Sequence, residues 1–338
     1  MNDILVSFVV PSYNYGRYLK DCLESILNQE GNYKFEIIVI DDGSTDNTQQ
    51  VLSNYSDKRL RIIRHPKNLG HIATINEGLL GTKGEFIARI DPDDRYRPYF
   101  LLTVLEKFFQ FPDVGLVYGD ACLINEDGKI TVESCDYIHK GKDFKGNEFI
   151  KLLKDNFICS PAVIARREAW LKTLPVPKNL AFHDWYFTLM MARRYDFYYV
   201  NKVIAEYRVH PDNLHTKILR EKKEEPSIFW LLDYIFENKE TNLLLEKQKQ
   251  KQKRYIYADH YFKLACRYFG EDMLKDCQRC CLKAIRYNLL YLFNFKLIRY
   301  LIGSILGKNL YGKIKLLFKK LFIQNDHLFL KITFFIKG

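Results

Sequence analysis

From Ile4 onward the chain alternates short runs of β-branched residues with amphipathic runs of helix length, a pattern that a parallel sheet with crossover helices satisfies. Strands are expected at 5–10, 35–40, 60–64, 85–90 and 114–118, with helices over 16–29, 46–55, 71–80 and 98–110. A hairpin is expected about Asp127-Gly128, on the reading that this pair supplies the positive φ of a two-residue turn. The expected class is therefore α/β, with a mostly parallel central sheet.

Polar residues cluster where the expected strands end, at Pro11-Ser12-Tyr13-Asn14, at 41–46 and at 91–94. In open α/β sheets ligands bind beyond the carboxyl ends of the strands, so the three clusters would face one site. Asp91-Pro92-Asp93-Asp94 puts three carboxylates into four residues, which repel one another unless a cation is present. Oxygen ligands suit Mg²⁺ or Mn²⁺, with substrate phosphates completing the shell. The structural alternative is an acidic turn capping the helix that begins near Pro98. In the 41–46 run Ser44 and Asp46 read as turn and N-cap residues. Asp41 and Asp42 have no such duty, and a carboxylate there can accept from a base N–H or a ribose hydroxyl.

Taken in order, Pro11-Ser12-Tyr13-Asn14, the 41–46 run, Asn68-x-Gly70 and Asp91-x-Asp93-Asp94 resemble the motifs of the family 2 inverting glycosyltransferases of GT-A fold. Arg166-Arg167-Glu168-Ala169, His183-Asp184-Trp185 and Tyr207-Arg208-x-His210 look like later landmarks of that family, so the resemblance spans roughly residues 4 to 215. It implies that Pro11, Tyr13 and Asp42 hold the nucleobase, usually uracil, and that Asp91 meets the ribose or the sugar. It further implies that Asp93 ligates Mn²⁺ or Mg²⁺, that His210 touches the metal or the diphosphate, and that Asp184 is the catalytic base. The implied reaction moves one sugar from a UDP-sugar to a hydroxyl of a glycan or lipid-linked glycan, with inversion and without a covalent enzyme intermediate. Metal stabilises the leaving diphosphate while one carboxylate takes the acceptor proton. Two positions depart from the family pattern: His183 stands where Glu is common before the base, and Asn213 where Ser is frequent. Arg89, Arg166 and Arg208 could fork a phosphate, but most arginines are solvated and these stay outside the expected catalytic set.

The expected catalytic domain covers 1–220, and a helical basic region covers 221–338. Through residue 240 the chain has 32 basic and 35 acidic residues; after it, 20 and 6. The spacing of Tyr261, Leu264, Ala265 and Tyr268, then Cys277, Cys281, Ala284 and Ile285, resembles one helical hairpin of the tetratricopeptide kind, which needs a surface to dock on. The eight cysteines are read as reduced thiols, with the 277, 280, 281 trio as packing. Apolar residues from 289 on are broken by lysines and arginines too often to span a bilayer. The segment from Tyr311 to Phe322 either packs on the protein or lies on an anionic membrane surface. Met1 to Ser7 lacks a basic n-region, so the protein is expected in the cytoplasm, with a peripheral place on the inner face of the cell membrane as the further expectation. Nucleic acid is an unsuitable partner, since the basic residues lie on a Leu- and Phe-rich tail without a binding motif. The rival readings are a non-catalytic nucleotide-sugar scaffold or sensor, which the intact acidic motifs disfavour, and a nucleotidyltransferase, which lacks its Gly-rich loop here.

Overall fold

The computed structural model describes residues 4–178, 180–211, 213, 218, 221–307 and 313. Contacts divide the chain into two compact units, Met1–Ile218 and Leu219–Gly338.

In the first unit the strands are β1 (Val6–Ser12), β2 (Phe35–Asp41), β3 (Leu60–Arg64), β4 (Phe86–Arg89), β5 (Arg95–Tyr96), β6 (Val114–Ile124), β7 (Ile130–Val132), β8 (Phe144–Gly146), β9 (Val163–Arg166) and β10 (Asp196–Arg208). The helices are α1 (Gly16–Leu27), α2 (Thr48–Ser53), α3 (His71–Leu80), α4 (Phe100–Gln110), α5 (Phe149–Lys154), α6 (Arg167–Leu171) and α7 (Asp184–Ala192). One ten-stranded sheet runs β3-β2-β1-β4-β9-β6-β10-β5, with β7 on β6 and β8 on β10. β3, β2, β1 and β4 are mutually parallel, as are β6 and β10. β9 enters antiparallel between β4 and β6 and joins the two parallel sets.

Both faces of β1 and β2 are covered, and all seven residues of each strand are buried. Phe8, Val10, Ile37 and Val39 enter the main core with Leu19 and Leu23 of α1 and Val104 of α4. On the other face α3 comes so close at Gly78 that a Cβ there would lie 2.5 Å from Val9 Cγ1 and 2.8 Å from Ile40 Cδ1. The continuous apolar runs of these strands follow from that double coverage.

The hairpin between β6 and β7 differs from expectation. Ile124 pairs with Ile130 across a five-residue loop, 125–129, and of its residues Gly128 alone has positive φ, at 78°. Asn125 closes the loop by accepting from the amides of Asp127 (3.1 Å) and Lys129 (2.9 Å) through its side chain. An Asx side chain can mimic a backbone turn, and this one replaces the two-residue geometry.

The second unit contains α8 (Glu224–Glu237), α9 (Leu243–Gly270), α10 (Leu274–Tyr287) and α11 (Phe295–Leu306). Asn242 caps α9 by accepting from the amides of Leu244 and Leu245. Tyr261, Leu264, Ala265 and Tyr268 on α9 and Cys277, Cys281 and Ala284 on α10 are buried. The hairpin finds cover within its own unit, because α11 packs on both α9 and α10 while α8 packs on α9. The external docking surface expected for a lone hairpin is thus supplied in part by α8 and α11. Lys249 is fully buried, and its ammonium is met by the carbonyls of Ile235 and Asn238 and the carboxylates of Glu240 (2.9 Å) and Glu246 (2.8 Å). Such multiple pairing offsets the cost of burying a cation. All eight cysteines are free thiols. Among the described residues no helix is long and apolar enough to cross a membrane. Of the 311–322 segment only Lys313 is described, so that expectation lies outside the described residues.

Candidate active site

The tips of β1 and β2 build a socket from backbone amides. Asn14 adopts φ 59°, its amide donates to Ser44 Oγ (2.9 Å), and its Oδ1 accepts from the Thr45 amide (2.8 Å). Pro11 is buried at the end of β1, whereas Tyr13 is 42% exposed and free to present its ring face. Asp41 accepts from the Ser44 amide, and Asp46 from the amides of Gly16 and Thr48, so both serve the turn. Gly43 (φ 71°) is required, since a Cβ would stand 2.6 Å from the Lys67 carbonyl carbon.

Asp42 is held more elaborately. Its Oδ1 meets His65 Nδ1 at 2.6 Å and accepts from the Leu69 amide, while Oδ2 accepts from the Gly70 amide. His65 Nε2 reaches Glu77 at 2.7 Å. Burial alone pushes the Asp42 carboxyl up, but the bonds from His65, Leu69 and Gly70 outweigh it and leave the pKa lowered. For His65 burial pulls down, and its bonds to Asp42 and Glu77 win, raising it. With about four acceptor positions on a carboxylate, Oδ2 keeps capacity for one further donor.

The tip of β4 is organised differently. Arg89, only 3% exposed, pairs with Asp91 (2.6 Å) and also donates to Ser160 Oγ. Burial would raise Asp91, but Arg89 and His71 outweigh it and hold the pKa low. Asp93 is buried, and its Oδ2 lies 3.0 Å from His210 Nε2. The His210 ring packs against Tyr18 (centroids 5.2 Å) and Tyr15 (6.1 Å), and its amide donates to Asn213 Oδ1. Burial raises the Asp93 pKa in spite of the His210 bond. Asp94 rises well above the carboxylate range, through burial first and then the charges of Asp93 and Asp91. Its Oδ1 accepts from the Arg208 amide, while Oδ2 is buried without a partner.

Asp93 and His210 thus bring one carboxylate and one imidazole together from positions far apart in sequence, and no group of three such ligands occurs among the described residues. A divalent ion bound there would take the rest of its shell from diphosphate and water, as Mg²⁺ and Mn²⁺ sites commonly do. A mixed oxygen and nitrogen pair suits Mn²⁺ better than Mg²⁺. The orphaned Asp94 oxygen and the raised carboxyls mark a pocket short of positive charge, and that fits a cation.

Asp184 opens α7, half-buried, with Oδ2 accepting from Asn156 Nδ2 at 3.1 Å. The N-cap residue is His183, whose side chain makes no capping bond, and Asp184 is the acidic residue of the first turn, where a carboxylate also suits the helix dipole. His183 is buried with Nε2 lacking a partner, its ring 4.6 Å from that of His71. Burial, with Arg89 and His71 adding to it, drives the His183 pKa well below the usual value. His71 is lowered by burial first, against the pull of Asp91, and feels Arg89, Asp42 and Asp184 as well. His71 thus lies within electrostatic reach of Asp42, of the β4 tip and of Asp184.

Sequence reasoning left out His65, Arg89 and Asn156 as partners of Asp42, Asp91 and Asp184. Arg208, also set aside, is 1% exposed and binds the Asp93 carbonyl (2.7 Å), the Glu126 carbonyl (2.9 Å) and Asp21 (3.1 Å). It holds the acidic tip, the β6–β7 loop and α1 in place rather than facing a ligand. Arg166 spends its guanidinium on the carbonyls of Val114 and Pro112 and on Glu85.

An α/β sheet with an antiparallel strand spliced between two parallel sets, acidic at its carboxyl edge, has the GT-A fold. Residues 7–174 match the profile of glycosyl transferase family 2, and through that stretch this chain belongs to the family and is a glycosyltransferase. An uncharacterized glycosyltransferase of Methanocaldococcus jannaschii is 29% identical over 66% of this chain and 77% of its own. A Bacillus subtilis glycosyltransferase named for teichuronic acid biosynthesis is 27% identical over 61% of this chain and 79% of its own. Several other curated relatives are matched over only 33–38% of their own length. Among solved structures, S. aureus TarS 1–349 in complex with UDP-GlcNAc superimposes with a TM-score of 0.62 at 17% identity, covering 89% of each chain.

Proposed function

We propose that the protein transfers a single sugar from a UDP-sugar to a hydroxyl of a glycan or lipid-linked glycan, with inversion and with Mn²⁺ or Mg²⁺, in the synthesis of a cell-surface polysaccharide. The observation that carries it is the buried contact of Asp93 Oδ2 with His210 Nε2 at 3.0 Å, beside a carboxylate pocket short of positive charge. Asp93 and His210 would hold a divalent ion, which when bound would neutralise charge on the departing diphosphate. Tyr13 offers its exposed ring to the uracil face, Pro11 shapes the base of that socket, and Asp42 accepts a base N–H on Oδ2. Asp91, fixed by Arg89, faces the ribose or the sugar. Asp184, oriented by Asn156, takes the proton of the acceptor hydroxyl. The solved relative's UDP-GlcNAc complex and the teichuronic acid name of the B. subtilis relative support the donor class and the polysaccharide setting. A lipid-linked acceptor places the working protein at the inner face of the cell membrane.

Asp184→Asn separates binding from chemistry. Turnover should fall on the order of 10²–10⁴-fold, the range for a lost general base, while UDP binding by calorimetry in Mn²⁺ stays as in wild type. Retained turnover removes Asp184 from the role of base.

A further inference from the structure

The turn between α10 and α11 presents its apolar side chains outward. Leu289, Leu290, Leu292 and Phe293 are 68%, 72%, 49% and 79% exposed, and Phe295, which opens α11, is 61% exposed. The turn is nevertheless fixed. Tyr291 alone points inward, 7% exposed, with its hydroxyl donating to Asp259 (3.0 Å) and its ring beside Phe262. Asn288 accepts from the Leu290 amide and Asn294 from the Leu297 amide, so both ends are capped. Along α11 the exposed side chains Ile302, Ile305 and Leu306 continue the surface, while Leu297 and Ser304 face the unit's interior. A rigid apolar knob of this kind on a protein surface marks an interaction site.

Charge decides the occupant. No Asp or Glu stands anywhere between Asp276 and Asp326, whereas Arg286, Lys296 and Arg299 flank the turn. A second copy docking through the same patch would set these cations against one another. An anionic bilayer satisfies both halves of the surface, taking the Leu and Phe side chains below the headgroups and the cations at the phosphates.

We infer that the Leu289–Phe293 turn and the adjoining exposed face of α11 form a membrane-contact surface that inserts into anionic phospholipid. This rests on the peripheral-membrane part of the function proposed above, and assigns the contact to this turn rather than to the 311–322 segment.

The test is flotation of the full chain with vesicles of phosphatidylglycerol and phosphatidylcholine, and with phosphatidylcholine alone. Wild type should float with the anionic vesicles. Leu290→Asp with Phe293→Asp should bind about tenfold more weakly or worse. Since both side chains are exposed, melting temperature and UDP affinity should not change, and a Leu290→Ser, Phe293→Ser variant gives the same readout without added charge. Lys296→Glu with Arg299→Glu should weaken the anionic arm several-fold. Equal flotation of wild type and the turn variants would overturn this assignment and leave the peripheral reading standing. No flotation of wild type would overturn both. A wild-type dimer in solution that the turn variants dissociate, with no lipid binding by either, would give the surface to a second copy instead.

Discussion

Two acidic runs leave the strands on either side of β1, and they are built on opposite principles. After β2, the carboxylates of Asp41, Asp42 and Asp46 each accept from backbone amides, and Asp42 gains His65. After β4, Asp91 has Arg89 and Asp93 has His210, but Asp94 keeps a buried oxygen with no hydrogen-bond partner, as Asp41 does after β2, where Arg64 stands 3.6 Å from it. The first run is lowered in pKa at Asp42 and Asp46, the second raised at Asp93 and Asp94. Amides that are fixed in the fold can stabilise a carboxylate without any ligand, whereas carboxylates crowded on one another call for a cation from outside. The first run is preformed by the fold, whereas the second keeps raised carboxyls that a bound cation would satisfy.

The largest effect should come from breaking the second run. Asp93→Ala is expected to lower turnover on the order of 10³-fold, the several kcal/mol that a metal contributes to the leaving charge, and to abolish the Mn²⁺ dependence of UDP affinity. Wild-type kinetics in this variant would show that the pair with His210 is only structural.

Breaking the first run should act on the socket and its stability together. His65→Ala removes a donor from Asp42 and from Glu77, and a buried acceptor left short costs about 1–3 kcal/mol. Urea unfolding should report that loss, and UDP titration a weaker affinity. Unchanged UDP affinity despite lower stability would remove Asp42 from the nucleotide socket.

The smallest effect sharpens the contrast in sign. Because the folded-state pKa of Asp94 is raised, its contribution to stability is fully present below the unfolded carboxylate value and is lost as pH rises through the raised one. For Asp42, lowered in the fold, the contribution is present above the unfolded value and is lost as pH falls through the lowered one. Asp94→Asn should therefore raise the melting temperature of the metal-free protein at pH 7 by about 2–4 °C, the shift that ~1 kcal/mol produces in a unit of this size. The gain should shrink as the pH is lowered towards 4. A lower melting temperature at pH 7 would mean that the bond from the Arg208 amide outweighs the buried charge.

The acidic motifs were legible because the parallel β-strands of an α/β sheet place their carboxyl ends along one edge, so the ends of consecutive strand patterns already fall together. β1 to β4 and α1, α3 and α4 lie close to where periodicity puts them. β9 was not foreseen, since Val163–Arg166 is four residues long and owes its place to β4 and β6 on either side. The hairpin failed for a local reason, the Asn125 side chain having taken over the turn that Asp127-Gly128 was expected to make. His65 and Asn156 carried no signal because their partners lie 23 and 28 residues away.

By its own order of apolar runs and strand-end carboxylates, the sequence determined a parallel α/β sheet with an acidic carboxyl edge, because hydrophobic periodicity and charge repulsion act over a few residues. Which carboxylate is saturated and which is left wanting was decided only in three dimensions. There His65, Arg208 and His210 arrive from other elements while Arg89 reaches Asp91 from β4 itself, and burial strengthens the charges they meet. The same holds for the second unit, where spacing marked the helices but only packing turned Tyr291 inward and its neighbours outward.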